Sequence, residues 1–128
     1  MPEGIPLINV LSIDDDAVFQ KQLRLLLLQD DIRLLPSAAN LHEGVEFARS
    51  MRPDVILLDI WLDGESSLSR IAELRDASPS SHIIVLSLHQ EPVYHQEAIR
   101  RGADAFVSKS DASEKLVPLV QGSMGQVN

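Results

Sequence analysis

The sequence predicts an α/β fold, a doubly wound parallel sheet of five strands with helices on both faces. Three observations predict it. Short apolar runs alternate with helical patterns five times along 128 residues. Parallel strands need crossover connections, and those helical patterns supply them. Two of the runs also end on aspartate: Ile8-Asn9-Val10-Leu11-Ser12-Ile13 precedes Asp14-Asp15-Asp16, and Val55-Ile56-Leu57-Leu58 precedes Asp59. Open α/β sheets bind ligands at the carboxyl ends of their strands. The acids therefore point to a site as well as to a fold.

The first strand is expected at 8–13, followed by Asp16 as the N-cap of the first helix, since aspartate is favoured there. In that helix Phe19, Leu23, Leu26 and Leu27 have the i, i+4, i+7, i+8 spacing of a buried face. A second strand is expected at 32–36. The second helix buries Leu41, Val45 and Ala48, and Asn40 with Glu43 three residues on reads as a capping box. The third strand, 55–58, leads through Ser66 and Ser67 to a helix with Leu68, Ile71, Ala72 and Leu74 inward. The fourth strand is expected at 83–87. Its helix opens at Glu91-Pro92, where proline suits the first turn, and has a thin apolar face of Val93, Tyr94, Ala98 and Ile99. The fifth strand is expected at 104–107, before the capping pattern Asp111-Ala112-Ser113-Glu114 and a helix burying Leu116, Leu119 and Val120. Pro118 lies seven residues into that helix and is expected to kink or shorten it, because it removes a backbone hydrogen bond.

One domain, residues 1–121, accounts for this pattern, and the small polar stretch 122–128 reads as a flexible tail or linker stub. Cysteine is absent, in keeping with a reducing compartment. No charged leader or bilayer-length apolar run is visible, so the expected location is the cytoplasm. A net charge of −8 makes the chain a poor direct binder of nucleic acid or anionic membrane.

Right-handed crossovers leave few topologies. The order 2-1-3-4-5 sets the first strand beside the third and brings Asp14, Asp15 and Asp59 together. Three clustered carboxylates repel one another unless a cation shares them, so a metal is expected. Ser87 closes the fourth strand, and Lys109 follows the fifth as the only strand-end cation. An acid cluster, a hydroxyl and a lysine suit phosphoryl transfer onto a carboxylate. Mg²⁺ and the ammonium would neutralise the moving group, and one aspartate would form the acyl phosphate.

By these residues the chain resembles the receiver domain of two-component response regulators, from about Ile8 to Val120. The matching segments are Ser12-Ile13-Asp14-Asp15-Asp16, Pro53 to Ile60, Val85-Leu86-Ser87 and Gly102 to Lys109. The resemblance implies a flavodoxin-like (βα)5 sheet and a signalling protein rather than a turnover enzyme. It implies Asp59 as phosphoacceptor, Asp15 as a direct Mg²⁺ ligand, and Asp14 as an acid bound largely through water. The Trp61 backbone carbonyl would be a further ligand. Ser87 would hydrogen-bond the phosphoryl group, Lys109 would pair with it, and Phe106 would hold the switch position. Implied partners are a histidine kinase or phosphotransfer protein, and a DNA-binding output domain carboxyl-terminal to this one. A phosphorylation-dependent homodimer is compatible with the same reading.

Some positions depart from the family pattern. Asp63 and Ser67 stand where the family often has proline and glycine, and Ser110 follows Lys109 where many receivers have proline. Trp61 and His89, two residues beyond Asp59 and Ser87, are bulky where the family tunes loss of phosphate. Rival folds fit less well. A flavodoxin needs a hydroxyl- and glycine-rich phosphate cradle after the first strand, where this chain is acidic. A haloacid-dehalogenase-type phosphatase carries a second acid at the position of Trp61. P-loop and Rossmann glycine fingerprints are missing, and His42, His82, His89 and His95 share no zinc-ligand spacing. The remaining alternative is a pseudo-receiver, an interaction module without phosphorylation.

Overall fold

A computed structural model describes residues 6–62, 64–88 and 91–124. Asp63, His89 and residues 125–128 of the expected tail lie outside the described residues. The apolar runs form parallel strands β1 (Ile8–Ile13), β2 (Ile32–Leu34), β3 (Val55–Asp59), β6 (His82–Ser87) and β7 (Ala105–Ser108), in the order β2-β1-β3-β6-β7. Between β3 and the third helix, β4 (Trp61–Leu62) and β5 (Glu65–Ser66) make a separate antiparallel hairpin. Counting sheet strands alone, this is the expected order 2-1-3-4-5.

β3 is buried at all five positions, as a central strand covered on both faces must be. Its side chains alternate between two cores. Ile56 and Leu58 join Leu11, Ile13, Ile83 and Val85 beneath helices α2 (Leu41–Met51), α3 (Ile71–Ala77) and α4 (Pro92–Arg100). Val55 and Leu57 join Val10, Ile84, Leu86 and Val107 beneath α1 (Ala17–Leu26) and α5 (Ala112–Met124).

Asp16 caps α1, accepting from the Val18 and Phe19 N–H groups at 3.0 and 3.1 Å. Phe19, Leu23 and Leu27 are buried there; Leu26, expected with them, is half-buried. Asn40 caps α2 through the Glu43 N–H at 2.8 Å, but Glu43 returns its bond to Ala39, one residue before the cap. α2 approaches β1 closely: a Cβ on Gly44 would stand 2.5 Å from Ile13 Cδ1.

Several expectations need correction. β2 stops at Leu34, and β6 and β7 each begin one residue away from the expected start. α3 opens with a 3₁₀ turn, Leu68–Arg70, whose tighter winding rotates the following turn and leaves Ala72 exposed. In α4 only Ala98 is buried, while Val93 and Ile99 face solvent and Tyr94 is half-buried. Leu119 of α5 is exposed rather than inward. α5 also continues through Pro118 to Met124, so residues 122–124 of the expected tail are helical. Pro118 and Glu114, whose carbonyl loses its helical donor, both lie on the exposed side of the helix.

The amino edge of the sheet is stitched by side chains. Asp54 accepts from the Asn9 N–H at 2.8 Å, and Asp104 accepts from the Ile83 N–H at 2.8 Å. Arg75 bonds the Pro79, Ser81 and Gly102 carbonyls and the Asp104 carboxylate, joining the starts of β6 and β7. Ser81 adds a buried bond to the Pro53 carbonyl ahead of β3.

Candidate functional site

The strand register builds the site at the opposite, carboxyl edge. Ile13 lies opposite Leu58, so Asp14 and Asp59 end neighbouring strands. Leu86 lies opposite Asp59, and Ser87 opposite Ser108, which delivers Lys109 to the same edge. Asp14 and Asp59 are buried and Asp15 is exposed, with one oxygen of each lying within 4.8 Å of the others. Lys109 is buried against them, its Nζ 2.9 Å from Asp14 Oδ2 and 3.5 Å from Asp59 Oδ1. The same ammonium sits 4.3 Å from the centroid of the Phe19 ring, in cation–π contact.

This arrangement strains the charge of Asp59. Its carboxyl is pushed up to about 7, first by burial and next by the charge on Asp14. Lys109 and the Trp61 backbone N–H pull in the other direction, and Asp15 adds a smaller upward push. When all three acids are ionised, one ammonium leaves two negative charges to spare. Asp14 Oδ2 is buried, and the Lys109 ammonium is its one partner among the described residues. A hard divalent cation such as Mg²⁺ fits this set, because it prefers carboxylate oxygens and cancels the excess charge. Asp14, Asp15 and Asp59 are the side chains that would hold it.

The other expected residues sit around this cluster. Trp61 begins the β4–β5 hairpin with its indole partly exposed, two residues from Asp59. Ser87 is fully buried at the end of β6. Phe106 is half-buried on the α4 side of the sheet and stacks on His95 of α4, with centroids 5.1 Å apart and planes at 15°.

Three contributors escaped the sequence reading. Ser67, read as a departure and as a serine leading into the third helix, is buried and donates its hydroxyl to the Asp59 carbonyl at 2.6 Å. Gln20 is buried beneath the acid loop and donates to the Asp14 carbonyl at 3.0 Å. Phe19 reads as core, yet it also faces the lysine. Gln20 left a faint signal: it shares a helical face with Leu23 and Leu27, where a polar residue is out of place.

The comparisons agree with this geometry. Residues 10–121 match the family model of the response regulator receiver domain. The nitrate/nitrite response regulator protein NarL of Escherichia coli is 34% identical over 123 residues, covering 93% of this chain and 56% of that protein. The transcriptional regulatory protein DesR of Bacillus subtilis is 29% identical over 92% of this chain and 59% of its own length. The chain thus spans little more than half the length of these relatives. A response regulator from Burkholderia pseudomallei, solved with a phosphorylated aspartic acid, calcium ion and citrate, superposes with a TM-score of 0.72. It is 28% identical, over 94% of this chain and 74% of that one. With its parallel sheet, its acid cluster and a match across most of its length, this chain belongs to the response regulator receiver domain family.

Proposed function

We propose that the chain is an active phosphoacceptor, taking a phosphoryl group from a phosphohistidine onto Asp59. The observation that carries this reading is the convergence of Asp14, Asp15, Asp59 and Lys109 on one small volume. An Asp59 oxygen attacks phosphorus, forming a P–O bond. The P–N bond breaks, and its electron pair stays on the donor imidazole. Asp15, Asp59 and the Trp61 carbonyl would hold Mg²⁺, and Asp14 would engage it largely through water. The ion supplies charge neutralisation for the transferred oxygens. Lys109 exchanges its ion pair with Asp14 for one with the phosphoryl group, and Ser87 donates its hydroxyl to another oxygen.

Switching follows from the same contacts. As Ser87 is drawn toward the phosphoryl group, Phe106 leaves its stack on His95 and turns inward, and the α4–β7–α5 surface changes shape. Ser87 and Phe106 lie on the same face of neighbouring strands, which supports this coupling. The phosphodonor is a histidine kinase or phosphotransfer protein, and the setting is the cytoplasm. No helix among the described residues is long and apolar enough to cross a membrane. The output is control of transcription through a DNA-binding region outside the receiver unit, in keeping with DesR, a transcriptional regulatory protein.

Acetyl phosphate with Mg²⁺ tests the reading. The wild-type chain should gain the mass of one phosphate, labile to hydroxylamine, and Asp59→Asn should gain none. Undiminished labelling of folded Asp59→Asn would move the phosphoacceptor away from Asp59, and no labelling of the wild type would leave the pseudo-receiver reading in its place.

A further inference from the structure

We propose that Gln20 is a positioning residue for the acid cluster, holding the Asp14–Asp15 peptide where its two carboxylates can share a divalent cation. The inference rests on the metal-dependent reading above and adds a residue to it.

Gln20 lies on α1 with 9% of its surface exposed, and each end of its carboxamide is engaged. Its Oε1 accepts from the Ser12 hydroxyl of β1. Its Nε2 donates to the Asp14 carbonyl at 3.0 Å and also reaches the Ala38 carbonyl at 3.5 Å, in the segment after β2. Neighbouring bonds tie down the rest of Asp14. The Asp14 N–H donates to the Ala38 carbonyl at 3.0 Å, and Asp14 Oδ1 accepts from the Asp16 N–H at 2.9 Å. The bond from Gln20 therefore fixes the carbonyl side of the residue. That carbonyl shares a planar peptide unit with the Asp15 N–H. Holding it sets the direction in which the exposed Asp15 side chain leaves the backbone.

Core packing alone does not account for this side chain. Leu23 and Leu27 on the same face are apolar, and a leucine at position 20 would avoid the desolvation of an amide. A buried polar network is favourable only when every member is satisfied. Here the satisfied bonds converge on a loop whose like charges would otherwise push it apart. Partners behind the ligating groups of metal sites act in this way, and losing one weakens metal affinity by about 10- to 100-fold.

The test measures Mg²⁺ affinity by calorimetry on the metal-free chain, with Tm recorded alongside. Gln20→Met keeps the length and loses the donor. It should weaken Mg²⁺ binding by about tenfold. Gln20→Glu still accepts from Ser12 but sets an oxygen against the Asp14 carbonyl, and should weaken it at least as much. Ser81→Ala removes a buried hydroxyl bond at the far edge of the sheet; it should lower Tm and leave Mg²⁺ affinity unchanged. Should Gln20→Met fail to fold, Ser12→Ala removes one anchor of the carboxamide and should give a smaller loss of affinity. Wild-type affinity in Gln20→Met, or in Ser12→Ala where that variant stands in, overturns the positioning role alone. An equal loss in Ser81→Ala does so too. A wild-type chain that takes up no Mg²⁺ overturns the metal reading itself, and this inference with it.

Discussion

The Asp59 carboxyl titrates near pH 7 instead of its ordinary 3.8, and the displacement has a definite sign for stability. Between those values the folded chain keeps a proton that the unfolded chain has released. Stability of the metal-free protein therefore falls as pH rises from about 4 to about 7, and the loss is complete above that. We predict a higher Tm at pH 5 than at pH 8. Asp59→Asn should flatten that slope and melt higher than wild type at pH 8. An unchanged slope in Asp59→Asn would assign the titration to another group. Ser67 offers a second test at this scale. Ser67→Ala strips the Asp59 carbonyl of its buried donor, which should cost about 1–3 kcal/mol in urea unfolding. The acids and Lys109 were legible because each follows an apolar run, and strand ends converge. Ser67 and Gln20 were not, because a side chain reaching a distant backbone carbonyl leaves no periodic trace.

Elements follow the same division. β1, β3 and β6 are predominantly apolar, as burial on both faces demands, so they were readable to within a residue. The β4–β5 hairpin has two residues per strand, too few for any alternation to register. α3 was misjudged at Ala72 because a 3₁₀ turn has a different period from the helix it opens. α2 supplies the prediction at this scale. Gly44 lets the helix settle on Ile13, the residue just before Asp14, with Cγ1 2.9 Å from any added Cβ. Gly44→Ala should therefore destabilise by about 1–3 kcal/mol through overpacking, despite the gain in helix propensity. Equal or greater stability in calorimetry would show that Ile13 repacks freely.

Over the whole molecule, chemistry and clamping occupy opposite edges of one sheet. Trp61, the sole tryptophan, lies at the carboxyl edge, two residues from Asp59. We predict a saturable change in its emission with Mg²⁺ and a second change with beryllofluoride, which mimics the phosphoryl group. Asp59→Ala should eliminate the second step, and Lys109→Ala should weaken it. A beryllofluoride response that survives in Asp59→Ala would place the anion elsewhere. At the other edge, Arg75 and Asp104 bind the roots of β6 and β7 into one block. The two strands are thus held at one end, as a tuning fork is gripped at its base. A disturbance at the tips, where Ser87 and Ser108 lie side by side, should therefore leave the handle in place. Releasing the grip with Arg75→Ala should let the pair slide as a unit, so that a movement begun at the tips would spread through the sheet instead of staying there.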